Sequence, residues 1–360
     1  MLKLPVVLII ISLSITLSVI PAAHADSGQW VKYAGNPILS PTPRTWDADY
    51  VTSPRVLYDG KIFRMWYQGG FSGNTRIGYA TSIDGISWVK SKNPVLSPGA
   101  PGQWDSSLVG LGSVLWNGTI FLMWYSGSNP TTYDSGAVGL AMSTNGTNWV
   151  KYSGNPILTP SPTGDDSSYV AGPYAIELSG TYYMWYTGRN VTSQTPGPFN
   201  KIMLATSNDG VNWSKRSNPV LTPAANSSAW DASGVYAPSV VFDGKNFGLW
   251  YSGLNQSLLT PMIGFASSPD GATWTRSSNN PILLPGPPGS WDAAGVEQSS
   301  PVQFGGSYLL YYAGGGKIGL ALGPHGFAIA EFPAPEFGLL VGVVACATII
   351  LLQQRRQQRA

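Results

Sequence analysis

Cysteine is nearly absent from this 360-residue chain: Cys346 stands alone, so no disulfide can form within it and packing must hold the fold. Histidine is almost as scarce, with only His24 and His325, too few for a zinc site of the usual kind. Calcium held by a ring of carboxylates is left open, with no loop spacing to support it, and no cofactor is expected. Charged residues make up 11%, against about 25% in an average globular chain. The 20 Lys+Arg and 18 Asp+Glu nearly cancel, which excludes nucleic acid or another partner drawn by charge. What the chain has in quantity is Gly (43), Pro (29), Trp (14) and Tyr (18), the makings of short aromatic strands between turns. An all-β fold follows.

The two ends differ from the body. Lys3, an apolar run from Leu4 to Ile20 and Ala23-His24-Ala25 read as a leader over residues 1–25, with an uncleaved anchor helix as the alternative. At the other end Pro335-Glu336-Phe337-Gly338 precedes an apolar run from Leu339 to Leu352 and a basic end at Arg355, Arg356 and Arg359. This tail, 331–360, resembles the PEF-type archaeal C-terminal sorting signals, and a plain membrane anchor is the alternative. By the positive-inside rule the basic end stays in the cytoplasm and the body, 26–330, lies outside. The expectation is an exported protein held at the cell surface.

Within the body four elements recur in fixed order. Asn-Pro-(Ile/Val)-Leu begins at Asn36, Asn93, Asn155, Asn218 and Asn280. Trp-Asp follows at Trp46, Trp104, Trp230 and Trp291, and Asp165-Asp166 stands in the third copy without its Trp. An aromatic strand comes next, at Met65-Trp66-Tyr67, Met123-Trp124-Tyr125, Met184-Trp185-Tyr186, Leu249-Trp250-Tyr251 and Leu310-Tyr311-Tyr312. Last is Ser-x-(Asp/Asn)-Gly-x-x-Trp, ending at Trp88, Trp149, Trp213 and Trp274. Each unit reads as four strands: one before an Asp-Gly hairpin with two positive-φ residues, the aromatic strand, an Ile-Gly-Tyr-Ala strand, and one holding the final Trp. Alternation puts Phe63, Met65 and Tyr67 on one face and Trp66 on the other, so these strands are buried on both sides. Four-stranded sheets packed radially around a channel meet that demand. The fifth unit ends in Gly323-Pro324-His325-Gly326-Phe327 without the last motif, while Gln29-Trp30-Val31-Lys32 supplies its missing strand at the N-terminus. The expected fold is a closed five-bladed β-propeller whose N-terminal strand completes the last blade, followed by a C-terminal transmembrane helix.

These motifs resemble the superfamily of glycoside hydrolase families 43, 62, 32 and 68 and the related mannoside phosphorylases, over about residues 29–325. The resemblance implies a base in an Asp-Pro pair of the first blade, a modulating Asp in the second and an acid in a Glu-Gly-Pro triplet of the third. Here the corresponding segments read Ser53-Pro54 and Ala171-Gly172-Pro173, with neither carboxylate. Two carboxylates are needed because one protonates the leaving oxygen while the other activates water or attacks carbon.

Other acids are the substitutes. Asp84, Asp209 and Asp270 repeat in turns and read as structural, as does the repeated Asp of the Trp-Asp loop. Asp49, Asp166 and Glu297 read as unrepeated, and Glu297 appears in a stretch carrying a two-residue insertion relative to Gly234–Pro238. The candidate catalytic set is Glu297, Asp49, Asp105 and Asp166, with Glu297 as a buried acid of raised pKa. Trp46, Trp104, Trp230, Trp291, Tyr174, Tyr236 and Arg55 are candidates for holding sugar. Three functions are open: a surface glycosidase-like enzyme, a catalytically silent propeller binding glycan or protein, and a sialidase-like enzyme, against which the count of five units argues. Sequons at Asn117, Asn190, Asn226 and Asn255 read as glycosylated loop tips, those at Asn145 and Asn212 as shielded. Carbohydrate and membrane are the expected partners, and a monomer is expected.

Overall fold

A computed structural model describes residues 30–129, 136–190, 200–255 and 260–323, and among them every regular element is a strand. No helix there is long and apolar enough to cross a membrane; the expected leader and tail lie outside the described residues.

Each repeat unit makes an antiparallel meander of four strands, named here from the inside out. Unit one holds β2 (Tyr50–Tyr58), β3 (Phe63–Phe71), β4 (Asn74–Ser82) and β5 (Val89–Lys90). Unit two holds β6 (Leu108–Trp116), β7 (Phe121–Ser128), β8 (Ala137–Ser143) and β9 (Val150–Lys151). Unit three holds β10 (Tyr169–Leu178), β11 (Thr181–Arg189), β12 (Asn200–Ser207) and β13 (Ser214–Lys215). Unit four holds β14 (Gly234–Phe242), β15 (Phe247–Leu254), β16 (Met262–Ser268) and β17 (Thr275–Arg276). Unit five holds β18 (Glu297–Phe304), β19 (Ser307–Gly314) and β20 (Lys317–Leu322). Its outermost strand is β1 (Val31–Lys32), paired through Val31↔Leu322 and Lys32↔Ala321.

The aromatic strands are buried on both faces, as alternation requires. Phe63, Met65 and Tyr67 join a cluster with Leu309 and Tyr311 of unit five, while Trp66 joins Val109, Leu111 and Met123 of unit two. Trp66, Trp124 and Trp185 also send their indole N–H into the next unit, to the carbonyls of Gly146, Gly210 and Gly271 at 2.8, 3.0 and 2.8 Å. Inner strands are also joined to the second strand of the preceding unit. Gly172 N–H donates to Ser126 Oγ, Ala237 N–H to Thr187 Oγ1 and Gln298 N–H to Ser252 Oγ. Units five and one are joined through their inner strands: Val56 N–H donates to Ser300 Oγ at 3.0 Å, as Ala175 N–H donates to Ser113 Oγ at 2.9 Å.

A buried carboxylate organises every unit. Asp47, Asp105, Asp166, Asp231 and Asp292 accept from Tyr67, Tyr125, Tyr186, Tyr251 and Tyr312, at 2.8–3.2 Å. Each also pairs with a cation from the outermost strand: Lys90, Lys151, Lys215, Arg276 and Lys32. The Lys32 pair joins the two ends of the described chain. Burial alone would raise the carboxyl groups of Asp47, Asp166 and Asp292, but hydrogen bonds from the Lys, Tyr and hydroxyl partners outweigh it and hold them below the usual range.

Three expectations are corrected. The fourth strand begins after the motif Trp rather than holding it, since β5 starts at Val89. The Asp-Gly hairpins are four-residue loops with positive φ at Gly60 and Gly244 alone; Asp59 and Asp243 act as acceptors for the backbone N–H two and three residues on. Asp166 is not unrepeated but is the third unit's copy of the buried carboxylate. Its neighbour Asp165 stands where the other units have Trp, and the partner changes with it. Trp46, Trp104, Trp230 and Trp291 lie against Gly78, Gly139, Gly264 and Gly319, whereas the third unit has Met203 at the glycine position.

Replacing Asp47 by Ala leaves Lys90 unpaired beside a buried Tyr67 and costs about 3–5 kcal/mol. Asp49→Ala, two residues away and exposed, changes stability by less than about 0.5 kcal/mol. Denaturant melts of the two variants check this. Because the folded carboxyls are depressed, their stabilisation is present above the unfolded carboxylate range and is lost as pH falls through their lowered values, so the gap closes in acid.

Candidate functional site

Counting five residues from each buried Asp gives Thr52, Gly110, Ala171, Tyr236 and Glu297, which are equivalent positions on the five inner strands. Immediately after them the strands bulge, with Ser53, Gly172, Ala237 and Gln298 at φ of 48–56°. A bulge with a left-handed residue turns side chains away from the regular pleat and is common beside functional sites.

At this level the structure brings together Glu297 and Tyr236. The Tyr236 hydroxyl donates to Glu297 Oε2 at 2.8 Å across the junction of units four and five. Burial pushes the Glu297 carboxyl up, with the Tyr236 hydrogen bond opposing, and burial beside this carboxylate pushes the Tyr236 hydroxyl well above its usual value. Beside them a cavity of about 180 Å³ is lined by Glu297, Thr52, Pro261, Gly295 and Gly316. Gln298 Oε1 accepts from the Thr52 and Ser53 hydroxyls at 2.5 and 3.0 Å, tying the wall of unit five to that of unit one. Thr52 and Gln298 were not singled out as site residues by sequence reasoning, although the five-residue count from the buried Asp locates Thr52; Ser53 stands where the resemblance implies a base.

The inner strands carry two carboxylates among the described residues, Glu297 at one end and Glu177 at the other. Glu177 is exposed and caps the Gly180 N–H of its own hairpin. No insertion precedes Glu297: Asp292 to Glu297 and Asp231 to Tyr236 are the same length, so the expected lengthening is withdrawn.

The other candidates are engaged elsewhere. Asp105 and Asp166 are 2–3% exposed and bound in their Tyr and Lys pairs, so they form part of the sheet scaffold. Asp49 is exposed and accepts from Ser72 N–H at the β3–β4 hairpin. Trp46, Trp230 and Trp291 stack on Tyr67, Tyr251 and Tyr312, and Trp104 lies tilted on Tyr125, with centroids 5.5–5.8 Å apart. With one face on Tyr and an edge against glycine, these indoles fill the sheets. Arg55 is 4% exposed and donates to the carbonyls of Gly112, Pro54 and Ser299, with its guanidinium 5.5 Å above the Tyr174 ring. It staples units one, two, three and five beneath the site; desolvation lowers it to about 10, so it stays charged at neutral pH. Among the expected glycosylation sites, Asn117 and Asn226 cap turns and Asn190 is exposed. Asn255 does not fit a loop tip: it is 4% exposed and its Nδ2 donates to the carbonyls of Ser227 and Ala229.

The family model described as glycosyl hydrolases family 32 N-terminal domain matches residues 54–220. An uncharacterized protein of Mycobacterium tuberculosis is 29% identical over 299 residues, covering 79% of this chain and 93% of that one. The 1,2-beta-oligomannan phosphorylase of a Thermoanaerobacter species is 25% identical over 57% of this chain and 64% of its own length. Among solved structures, a glycosyl hydrolase from Bacteroides ovatus superposes with a TM-score of 0.61 at 18% identity, over 82% of this chain and 93% of that one. Beta-1,2-mannobiose phosphorylase from Listeria innocua gives 0.62 at 14% identity, over 82% and 96%. The described residues thus have the glycoside hydrolase-like propeller fold. At these identities the likeness speaks for the fold alone.

Because the folded Glu297 carboxyl is raised, the folded state loses stability as pH climbs from the ordinary carboxylate range through the raised value. Glu297→Gln removes that penalty while keeping an acceptor for Tyr236. The variant melts above wild type at pH 7–8 and with it near pH 4; equal melting temperatures at both pH values contradict the reading.

Proposed function

We propose that this chain is a closed five-bladed propeller that binds a neutral glycan at the Glu297–Tyr236 mouth without hydrolysing it. One observation carries the reading: the only carboxylate on an inner strand at that end, among the described residues, is Glu297. Paired-carboxylate hydrolysis needs a second within about 5–10 Å. The equivalent places in the other units hold Thr52, Gly110, Ala171 and Tyr236, none of which ionises as an acid at neutral pH. Hydroxyl and amide groups remain beside one carboxyl that burial biases toward its neutral form, able both to donate and to accept. That set suits sugar hydroxyls.

The cavity of about 180 Å³ is smaller than the roughly 300 Å³ of a pocket for a drug-sized ligand, so it fits one sugar unit of a longer chain. The matching bonds between units five and one support ring closure, and the apolar runs at the two ends of the sequence support export and attachment at the cell surface. Screening on an array of neutral oligosaccharides that includes β-1,2-mannobiose, followed by calorimetry, tests the reading. Tyr236→Phe and Glu297→Gln each weaken binding by about tenfold, the worth of one hydrogen bond to a buried group, while Asp49→Ala leaves it unchanged. Unaltered binding in both site variants overturns this assignment.

A further inference from the structure

On every second strand one residue stands level with the mouth, set by register against the inner-strand position five residues after the buried Asp. These residues are Gln68, Ser126, Thr187, Ser252 and, opposite Glu297, Ala313. Three of them carry a hydroxyl, and each hydroxyl accepts from the backbone N–H of the left-handed residue in the next unit. Ser126 accepts from Gly172 at 2.9 Å, Thr187 from Ala237 at 3.0 Å and Ser252 from Gln298 at 2.9 Å. The remaining left-handed residue is Ser53, at a φ of 48°, and by the same register the residue set against it from the preceding unit is Ala313. A methyl group accepts no hydrogen bond. The donor that is covered at three junctions is therefore uncovered between units five and one.

That donor lies at the mouth. Directly opposed residues of an antiparallel pair point their side chains to one face, so Glu297 and Ala313 both face unit one. The cavity of about 180 Å³ is lined by these two and by Thr52 of unit one, and the adjoining Gly314, Gly315 and Gly316 leave its wall without side chains. Gln298 Oε1 still braces the junction, accepting from the Thr52 and Ser53 hydroxyls at 2.5 and 3.0 Å. Those bonds use the hydroxyl of Ser53 and not its N–H. A backbone N–H taken from bulk water needs an acceptor, and one that faces a cavity beside a carboxyl draws it from whatever fills the cavity.

We propose that Ala313 opens a sugar subsite, in which a hydroxyl of the bound sugar replaces the missing side-chain oxygen, accepting from Ser53 N–H and donating to the Glu297 carboxyl. This rests on the reading of the mouth as a glycan site and adds what the site selects. A hydroxyl suits it because a single oxygen both accepts and donates. One residue then decides whether the subsite is open: with Ser or Thr at 313 the chain would supply the acceptor itself, as it does at the other three junctions. Thr187 shows that the bulkier of the two is compatible with this place in the sheet.

Amide hydrogen exchange of the full chain, read by nuclear magnetic resonance, together with calorimetric titration of cellobiose, maltose and mannobiose, tests this. In wild type Ser53 exchanges about tenfold or more faster than Gly172, Ala237 and Gln298, and a bound disaccharide slows it by about tenfold. Ala313→Ser slows Ser53 by about tenfold without any sugar and weakens disaccharide binding by about tenfold or more. Ala313→Val adds bulk but no oxygen and leaves Ser53 exchange at the wild-type rate. Ser126→Ala, the reverse change at another junction, speeds Gly172 alone. Ser53 as protected in wild type as its three equivalents overturns the inference, as does equal slowing by Ala313→Val, which would trace the effect to burial. A disaccharide that binds without slowing Ser53, or that binds Ala313→Ser as tightly as wild type, overturns it as well and leaves the mouth a sugar site. Binding of none of the three disaccharides, with Ser53 slowed by Ala313→Ser as expected, overturns instead the glycan reading and with it the sugar as the source of the acceptor, while the gap at Ala313 stands.

Discussion

A carboxylate taken out of water holds the strands of each unit together. In each unit an Asp in the loop before the inner strand is met by a Tyr hydroxyl of the second strand and a Lys or Arg of the fourth. A buried ion pair contributes little net stability against an apolar alternative, but losing one partner is costly, so the triad fixes which strands lie together. In a chain with so few charges this device is repeated five times, and in the fifth the cation arrives from the other end of the body, as Lys32. Lys32 thereby ties the first described strand to the fifth unit.

The same constraint separates scaffold from site. An Asp bound to Tyr and to Lys or Arg at 1–3% exposure is not free to exchange a proton with a ligand. Once the five scaffold carboxylates are assigned, the inner strands present Glu297 near the bulges, with Tyr236 as its hydrogen-bonded neighbour. The bulges at Ser53, Gly172, Ala237 and Gln298 interrupt the pleat at that level, so side chains from adjacent strands face one another.

Much of this was legible in the residues. The five aromatic strands, their two-sided burial and the pairing of the Trp30 segment with the last unit followed from alternation and repeat spacing. The site was less so. Asp166 looked unrepeated because its neighbour Asp165 replaced the marker Trp, and only the matching change of glycine to Met203 reveals a volume exchange at an otherwise constant position. The four Trp residues were read as sugar platforms because an exposed-looking loop Trp and one packed over a glycine in the next strand are indistinguishable until strand register is known. Arg55 was drawn toward the site by its strand, but its charge is spent on backbone carbonyls of three units.

In the proposed function one carboxyl at the mouth recognises a sugar and does not cleave its linkage. The direct measurement is a prolonged incubation of wild-type protein with an oligosaccharide it binds, with released reducing ends counted over time. The oligosaccharide is expected to stay intact, with reducing ends released only at the rate of the protein-free control. Release above that control, abolished by Glu297→Gln, would contradict it.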